Sequence, residues 1–176
     1  MKRTLAADIS RESGPVQLKG WIHRIRELGA VNFVLLRDRS GIVQLVAGEL
    51  PEGLSTECVV SAEGTVQENP RAPGGLEVAL ASIELLAPAE ADLPIPVNQA
   101  PDKLGVDTIL DNRLLSLRIP QLREVFAVQS TLIAAFAEHL RGEGFTEIKT
   151  SKLIGTGTEG GTGLFRVDYF DGEVFL

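Results

Sequence analysis

Apolar and polar positions alternate from Val16 onward. Val16, Leu18 and Ile22 point to one side, and Gln17, Lys19, Trp21 and His23 to the other. This is the two-residue period of a half-buried strand. Gly20 inside the run predicts a bulge or bend of the kind small coiled barrels need. After a turn at Leu28-Gly29-Ala30, Val34 and Leu36 alternate against Phe33, Leu35 and Arg37. Asp38-Arg39-Ser40-Gly41 reads as a hairpin loop ending in glycine, and Ile42-Val43-Gln44-Leu45-Val46 follows as a third strand.

Residues 48–56, polar and holding Gly48, Pro51 and Gly53, form a loop or a single helical turn. A fourth strand is predicted from about Glu57 to Gln67 and a fifth from about Gly75 to Leu86, around the loop Glu68-Asn69-Pro70-Arg71-Ala72-Pro73-Gly74. A three-strand meander, a longer connection and two more strands fit a small Greek-key barrel. The OB-fold is the commonest such barrel that binds oligonucleotides. Thr4 to Ile9 reads as a short helix lying over it.

The segment 87–103 is rich in proline, with Pro88, Pro94, Pro96 and Pro101. That composition favours an extended spacer over helix or central strand, and it divides the chain into residues 1–86, a connector at 87–103 and residues 104–176. From Pro120, apolar residues recur at three and four: Leu122, Val125, Phe126, Leu132, Ile133, Phe136 and Leu140. The pattern predicts a long amphipathic helix opened by proline and stopped at Gly142/Gly144. Phe145-Thr146-Glu147-Ile148 reads as a strand, residues 155–163 as a glycine- and threonine-rich loop, and the last residues as a hairpin. This second region reads as the beginning of a domain, cut off before it closes.

The formal net charge of −7 argues against a general nucleic-acid binder, because nonspecific affinity comes from lysine and arginine on phosphates. The charge is uneven, however: residues 1–46 carry a local +4 and the remainder −11, a basic module on an acidic body. Cys58 is the one cysteine, which rules out an internal disulfide and reads as a buried structural thiol. No run reaches the length of a membrane span and the start lacks a signal-peptide core, so the cytoplasm is expected.

The polar side of the first three strands offers Trp21, His23, Phe33, Arg37 and Gln44. An aromatic ring to stack on a base, an amide to read a base edge and cations for phosphates make up a single-strand nucleic-acid reader. On the residues alone, a ring filling a barrel end and a solvated strand amide stand beside that reading.

Several stretches together resemble the aspartyl-tRNA synthetases. They are Gly20-Trp21-Ile22-His23, Arg37-Asp38, Gly41-Ile42-Val43-Gln44, Leu93-Pro94, Asn112-Arg113, Gly144-Phe145-Thr146-Glu147-Ile148 and Thr158-Glu159-Gly160-Gly161-Thr162. The likeness covers essentially all of the chain but only the amino-terminal part of such an enzyme, in the short archaeal-type form. It implies a β + α/β architecture: a five-stranded OB-fold barrel that binds the anticodon, followed by the start of a class II catalytic domain on an antiparallel sheet. By resemblance, Phe33 stacks on an anticodon base, Gln44 reads the central uridine and Arg26 contacts the anticodon loop. His23 and Pro73 stand where members restricted to the aspartate tRNA tend to carry tryptophan and lysine. They resemble the relaxed form that also charges the asparagine tRNA; a neutral surface histidine and a plain turn proline are the bland alternative.

The same resemblance makes residues 120–153 the first class II motif, a helix and strand that form a homodimer interface. Ser151 departs from it, since the family has a proline there. Glu159 falls in the loop that closes over L-aspartate and contacts its ammonium group, a charge-assisted pairing. ATP and Mg²⁺ serve the full-length enzyme; its ATP-binding arginines lie beyond residue 176 in the family's order. The chain alone is therefore expected to hold no complete catalytic or metal site and to show no aspartate-dependent ATP–pyrophosphate exchange. A free-standing OB-fold tRNA-binding module, and part of an asparaginyl- or lysyl-tRNA synthetase, are the other readings.

Overall fold

The structure is a computed structural model that describes residues 2–90, 92–155 and 164–175. It divides into two compact units, Met1–Glu124 and Val125–Leu176.

In the first unit, β1 (Pro15–Leu28), β2 (Val31–Arg37), β3 (Ile42–Ala47), β4 (Val59–Glu68) and β5 (Leu76–Ala87) close into a barrel in the order β1-β2-β3-β5-β4. β4 returns to pair with β1, and β3 runs parallel to β5. The predicted inward set fills it: Val16, Leu18, Ile22, Val34, Leu36, Val43, Leu45, Cys58, Val60, Ala62 and Val78 form one buried cluster. Each such Leu or Ile contributes about 1.5–3 kcal/mol by leaving water. The short amino-terminal helix is a 3₁₀ turn, Ala6–Asp8, and its Ala6 and neighbouring Ile9 pack against the core.

Two glycines let the barrel walls approach. A Cβ on Gly20 would lie 2.3 Å from the carbonyl oxygen of Arg37, and one on Gly64 would lie 2.3 Å from that of Ala79 and 2.6 Å from Val78 Cγ1. The β1 irregularity sits elsewhere than expected. The register with β2 shifts between Ile22 and Arg24, so the bulge is at His23 while Gly20 pairs regularly with Val60.

At the bulge the His23 ring lies against Arg37, and both are buried. This corrects the expectation that His23 and Arg37 lie on an open outer face. The Arg37 guanidinium donates to both carboxylate oxygens of Glu57 at 2.7 and 3.0 Å, and Arg118 donates to Glu57 Oε2 at 2.6 Å. Trp21 has the Arg37 guanidinium carbon 5.9 Å and that of Arg118 5.8 Å from its ring centroid, within cation–π range. Asn98 donates to the His23 carbonyl at 3.1 Å, and Arg24 donates to the Asn98 carbonyl at 2.9 Å. Ile95, Val97 and Ile119 are buried as well. The proline-rich connector is docked onto the barrel rather than free, and it is not the extended spacer its composition predicts: it bends, turns at residues 97–98 and ends in a 3₁₀ turn, Pro101–Lys103.

Glu57 takes a left-handed φ of 70°, costly for a non-glycine residue at about 1–3 kcal/mol. Its N–H donates to Ile22 O at 2.7 Å, and its carboxylate is held by two guanidiniums, so the surroundings fix the conformation. Arg37 Nη1 lies 3.0 Å from His23 Nδ1. A guanidinium only donates, so Nδ1 accepts and the imidazole is neutral with its proton on Nε2. Burial holds His23 below its ordinary pKa; Arg37 and Arg24 push the same way against the opposing pull of Glu57. At the β2–β3 hairpin, Asp38 accepts from Ser40 N at 2.7 Å, Ser40 Oγ at 2.6 Å, Gly41 N at 3.2 Å and Ala6 N at 2.9 Å. Burial pushes its carboxyl up, but these hydrogen bonds outweigh it and hold Asp38 below the usual carboxylate range.

Beyond the barrel come α1 (Val106–Asp111), α2 (Arg113–Ser116) and α3 (Pro120–Gly142). In the second unit α3 ends as predicted. Gly144 has φ 87°, Phe145 N donates to Leu140 O at 3.0 Å and Gly144 N to Arg141 O at 3.1 Å, the paired bonds of a Schellman cap. The strand expected at Phe145-Thr146-Glu147-Ile148 is absent: the Phe145 N–H is committed to the cap, and Phe145 and Ile148 are exposed. The closing hairpin is present as β6 (Arg166–Tyr169) and β7 (Gly172–Phe175), with Ile154 bridged to Phe175.

Two outcomes follow from these contacts. Gly64→Ala is expected to lower unfolding stability by about 1–3 kcal/mol, since backbone must move to admit the methyl group, while Gly41→Ala, with open space around it, stays within about 0.5 kcal/mol; urea titration checks both. Because the folded pKa of His23 lies below the ordinary 6.5, the unfolded chain takes up its proton first. Stability from this group is complete above that value and is lost as pH falls toward the folded pKa. Urea titrations between pH 8 and 5, read on the single tryptophan Trp21, should show this loss in the wild type and a flatter profile in His23→Gln.

Candidate nucleic-acid interface

Strand register builds the outer face row by row. Arg26, Phe33, Val46 and Ala79 lie side by side across β1, β2, β3 and β5, and Arg24, Leu35, Gln44 and Glu77 form the next row. Phe33 and Gln44 therefore share one face and one diagonal. Phe33 is half-buried and outside the core cluster, and Arg26 is exposed beside it. The third row, Trp21, Arg37 and Ile42, runs into the part closed by the connector.

Gln44 Nε2 donates to Glu77 Oε2 at 2.9 Å. A carboxylate only accepts, so the nitrogen must face Glu77, leaving the Gln44 carbonyl and one N–H. One acceptor and one donor on a planar group complement a base edge with the opposite pair, as the N3–H and O4 of uracil provide. Asn69 Nδ2 donates to the same Glu77 oxygen at 2.7 Å. Sequence reasoning missed Glu77 and Asn69. The signal was available for Glu77, an acidic residue at an outward position of β5 beside Gln44, and unavailable for Asn69, whose side chain reaches the face from a loop.

Pro73 opens a 3₁₀ turn, Pro73–Gly75, in that same β4–β5 loop and is exposed. His23 is buried under Asn98 and Arg37, so the structure separates it from the open rows. Arg26, Phe33 and Gln44 are brought together. Glu159 lies outside the described residues. Among the described residues no group of three His, Cys, Asp or Glu is placed to hold a metal ion, and no helix is long and apolar enough to cross a membrane.

Comparison with known proteins agrees with this layout. The family described as OB-fold nucleic acid binding domain matches residues 16–86, and tRNA synthetases class II (D, K and N) matches residues 105–175. The chain is 40% identical to an aspartate–tRNA(Asp/Asn) ligase of Methanopyrus kandleri over 100% of its own length and 43% of that protein. It is 41% identical to the one of Thermus thermophilus over 99% and 41%. Among solved structures, asparaginyl-tRNA synthetase from Pyrococcus horikoshii complexed with asparaginyl-adenylate superimposes with a TM-score of 0.88 at 31% identity, over 100% of this chain and 42% of that one. The chain thus spans about two fifths of the length of the relatives it matches. An OB-fold nucleic-acid-binding domain is thus followed by a segment similar to the class II (D, K and N) tRNA synthetases, and over its whole length the chain is similar to the aspartate–tRNA ligases.

Proposed function

We propose that this chain supplies anticodon recognition and part of the dimer interface to an enzyme that ligates L-aspartate to tRNA(Asp), and to tRNA(Asn) as well. The carrying observation is the open diagonal: Phe33 half-buried on the outer face, Arg26 exposed in its row, and the Gln44 amide oriented by Glu77. In this reading Phe33 stacks on an anticodon base, Arg26 meets a phosphate, and Gln44 accepts from N3–H and donates to O4 of the central uridine. The similarity to ligases named for both tRNAs supports the relaxed specificity, with His23 and Pro73 in place of bulkier or charged groups. His23 acts here by position, through the backbone and Arg37, since its ring is covered.

Class II synthetases use ATP in general. The described residues include no metal-binding cluster, and no step of adenylate chemistry is assigned to this chain. Glu159 as the contact for the aspartate ammonium rests on the resemblance. The homodimer reading rests on α3, whose Val125, Val128, Leu132, Ile133 and Phe136 are all exposed in this chain and whose apolar face calls for cover. The higher identity to the aspartate ligases than to the asparaginyl enzyme favours aspartate over the asparaginyl reading.

Fluorescence anisotropy with labelled anticodon stem-loops tests the proposal. Phe33→Ala should weaken binding about 5- to 150-fold, the worth of one stacked base. Gln44→Ala should erase most of the preference for U over C at the middle position. Equal binding of both RNAs by the wild type, or full retention by both variants, overturns it. Sedimentation should likewise show a dimer that Phe136→Asp dissociates; a monomeric wild type removes the dimer from the proposal.

A further inference from the structure

The Gln44 amide can face Glu77 only with its nitrogen, but Glu77 is itself a side chain with several rotamers. What holds it is the second donor. Asn69 Nδ2 reaches Glu77 Oε2 at 2.7 Å, the same oxygen that Gln44 Nε2 reaches at 2.9 Å. Asn69 is in turn built into the β4–β5 loop. Its Oδ1 accepts from Arg71 N at 3.0 Å, its N–H donates to Gly75 O at 3.0 Å and its carbonyl accepts from Ala72 N at 2.9 Å. The loop that carries Pro73 is therefore tied, through one amide and one carboxylate, to the group that faces the base.

We propose that Asn69 is a positioning residue for base recognition: sharing Glu77 Oε2 with Gln44, it fixes the carboxylate, keeps the Gln44 carbonyl turned outward, and makes the β4–β5 loop part of the specificity device. This rests on the anticodon reading of Gln44. Without Asn69, Glu77 is free to swing and Gln44 to flip, and a flipped amide presents donor where acceptor was. The loss then falls on the choice between U and C, whose edges differ in that polarity, rather than on phosphate-driven affinity.

Asn69→Asp breaks the link, because it keeps the Oδ1 acceptor for Arg71 N but replaces the donor to Glu77 by a second carboxylate that repels it. In the 176-residue chain, anisotropy with stem-loops bearing U or C at the middle position should show the U preference falling about three- to tenfold, the worth of one hydrogen bond. The added charge weakens both stem-loops alike, so the U-to-C ratio, which the charge-neutral Asn69→Ala should lower in the same way, carries the result. Adding Glu77→Gln to Asn69→Asp reverses donor and acceptor in the pair. The amide introduced on β5 can donate to the carboxylate introduced on the loop and still accept from Gln44, so the U preference should recover. Asn69→Ala serves where the aspartate variant fails to melt cooperatively, and should lower the preference likewise. An unchanged preference in Asn69→Asp, or equal loss in the single and double variants, overturns the proposal, the latter pointing to loop structure alone. Gln44→Ala separates the layers: if it abolishes the preference and Asn69→Asp does not, only the role of Asn69 falls. If Gln44→Ala also leaves it intact, the base-reading role of Gln44 falls first and the role of Asn69 with it.

Discussion

The Glu57 carboxylate is nearly sealed from water and is acceptable there only because Arg37 and Arg118 both donate to it. Removing one member of such a buried pair typically costs about 3–5 kcal/mol, so each member fixes the others. One guanidinium comes from β2 and the other from the segment after α2, so neutralising this single charge ties that segment to the barrel, beside the connector held through Asn98. Trp21 lies against both guanidiniums, and neutral His23 accepts from Arg37. A protonated imidazole at that place would set a third cation beside one carboxylate, which is why burial and Arg37 together hold it neutral.

This network divides the outer face into a closed and an open part. The row of Trp21 and Arg37 is satisfied within the chain. The rows built on Phe33 and Gln44 keep a ring face, a carbonyl and an N–H available. With Arg37 taken up by Glu57, attraction to RNA in the proposed reading falls to Arg26 and to the uneven charge of the amino-terminal module rather than to a dense cationic patch. A chain of net charge −7 is suited to discriminate by polarity and stacking more than to bind by charge.

The barrel was legible because a two-residue period states directly which side chains go inward; every predicted inward residue of β1 and β2 is in the core cluster. The helix stop at Gly142/Gly144 was legible for an equally local reason, the left-handed cap. Arg37 was misplaced because alternation reports only which face a residue occupies, never what later packs on that face. The covering partners, Asn98 and Arg118, lie 60 or more residues away, and Glu57 gave no signal since its unusual φ is imposed by contacts rather than by residue type. Residues 145–148 failed as a strand through competition: the apolar pattern is strand-like, but the helix cap claims the first N–H.

In the proposed reading, specificity is built on the open rows. An amide alone is a poor discriminator because its two orientations differ by half a turn and present reversed polarity. Placing an acceptor-only carboxylate at Glu77 removes one orientation, and a second donor on the same oxygen removes the freedom of the carboxylate. The ordering cost of the Gln44, Glu77 and Asn69 side chains is then met on folding rather than on binding. Stacking on Phe33 gives affinity that any base satisfies, whereas a pre-oriented donor and acceptor give preference that only one edge satisfies. The two are separable on this face because they sit in different rows of the same strands.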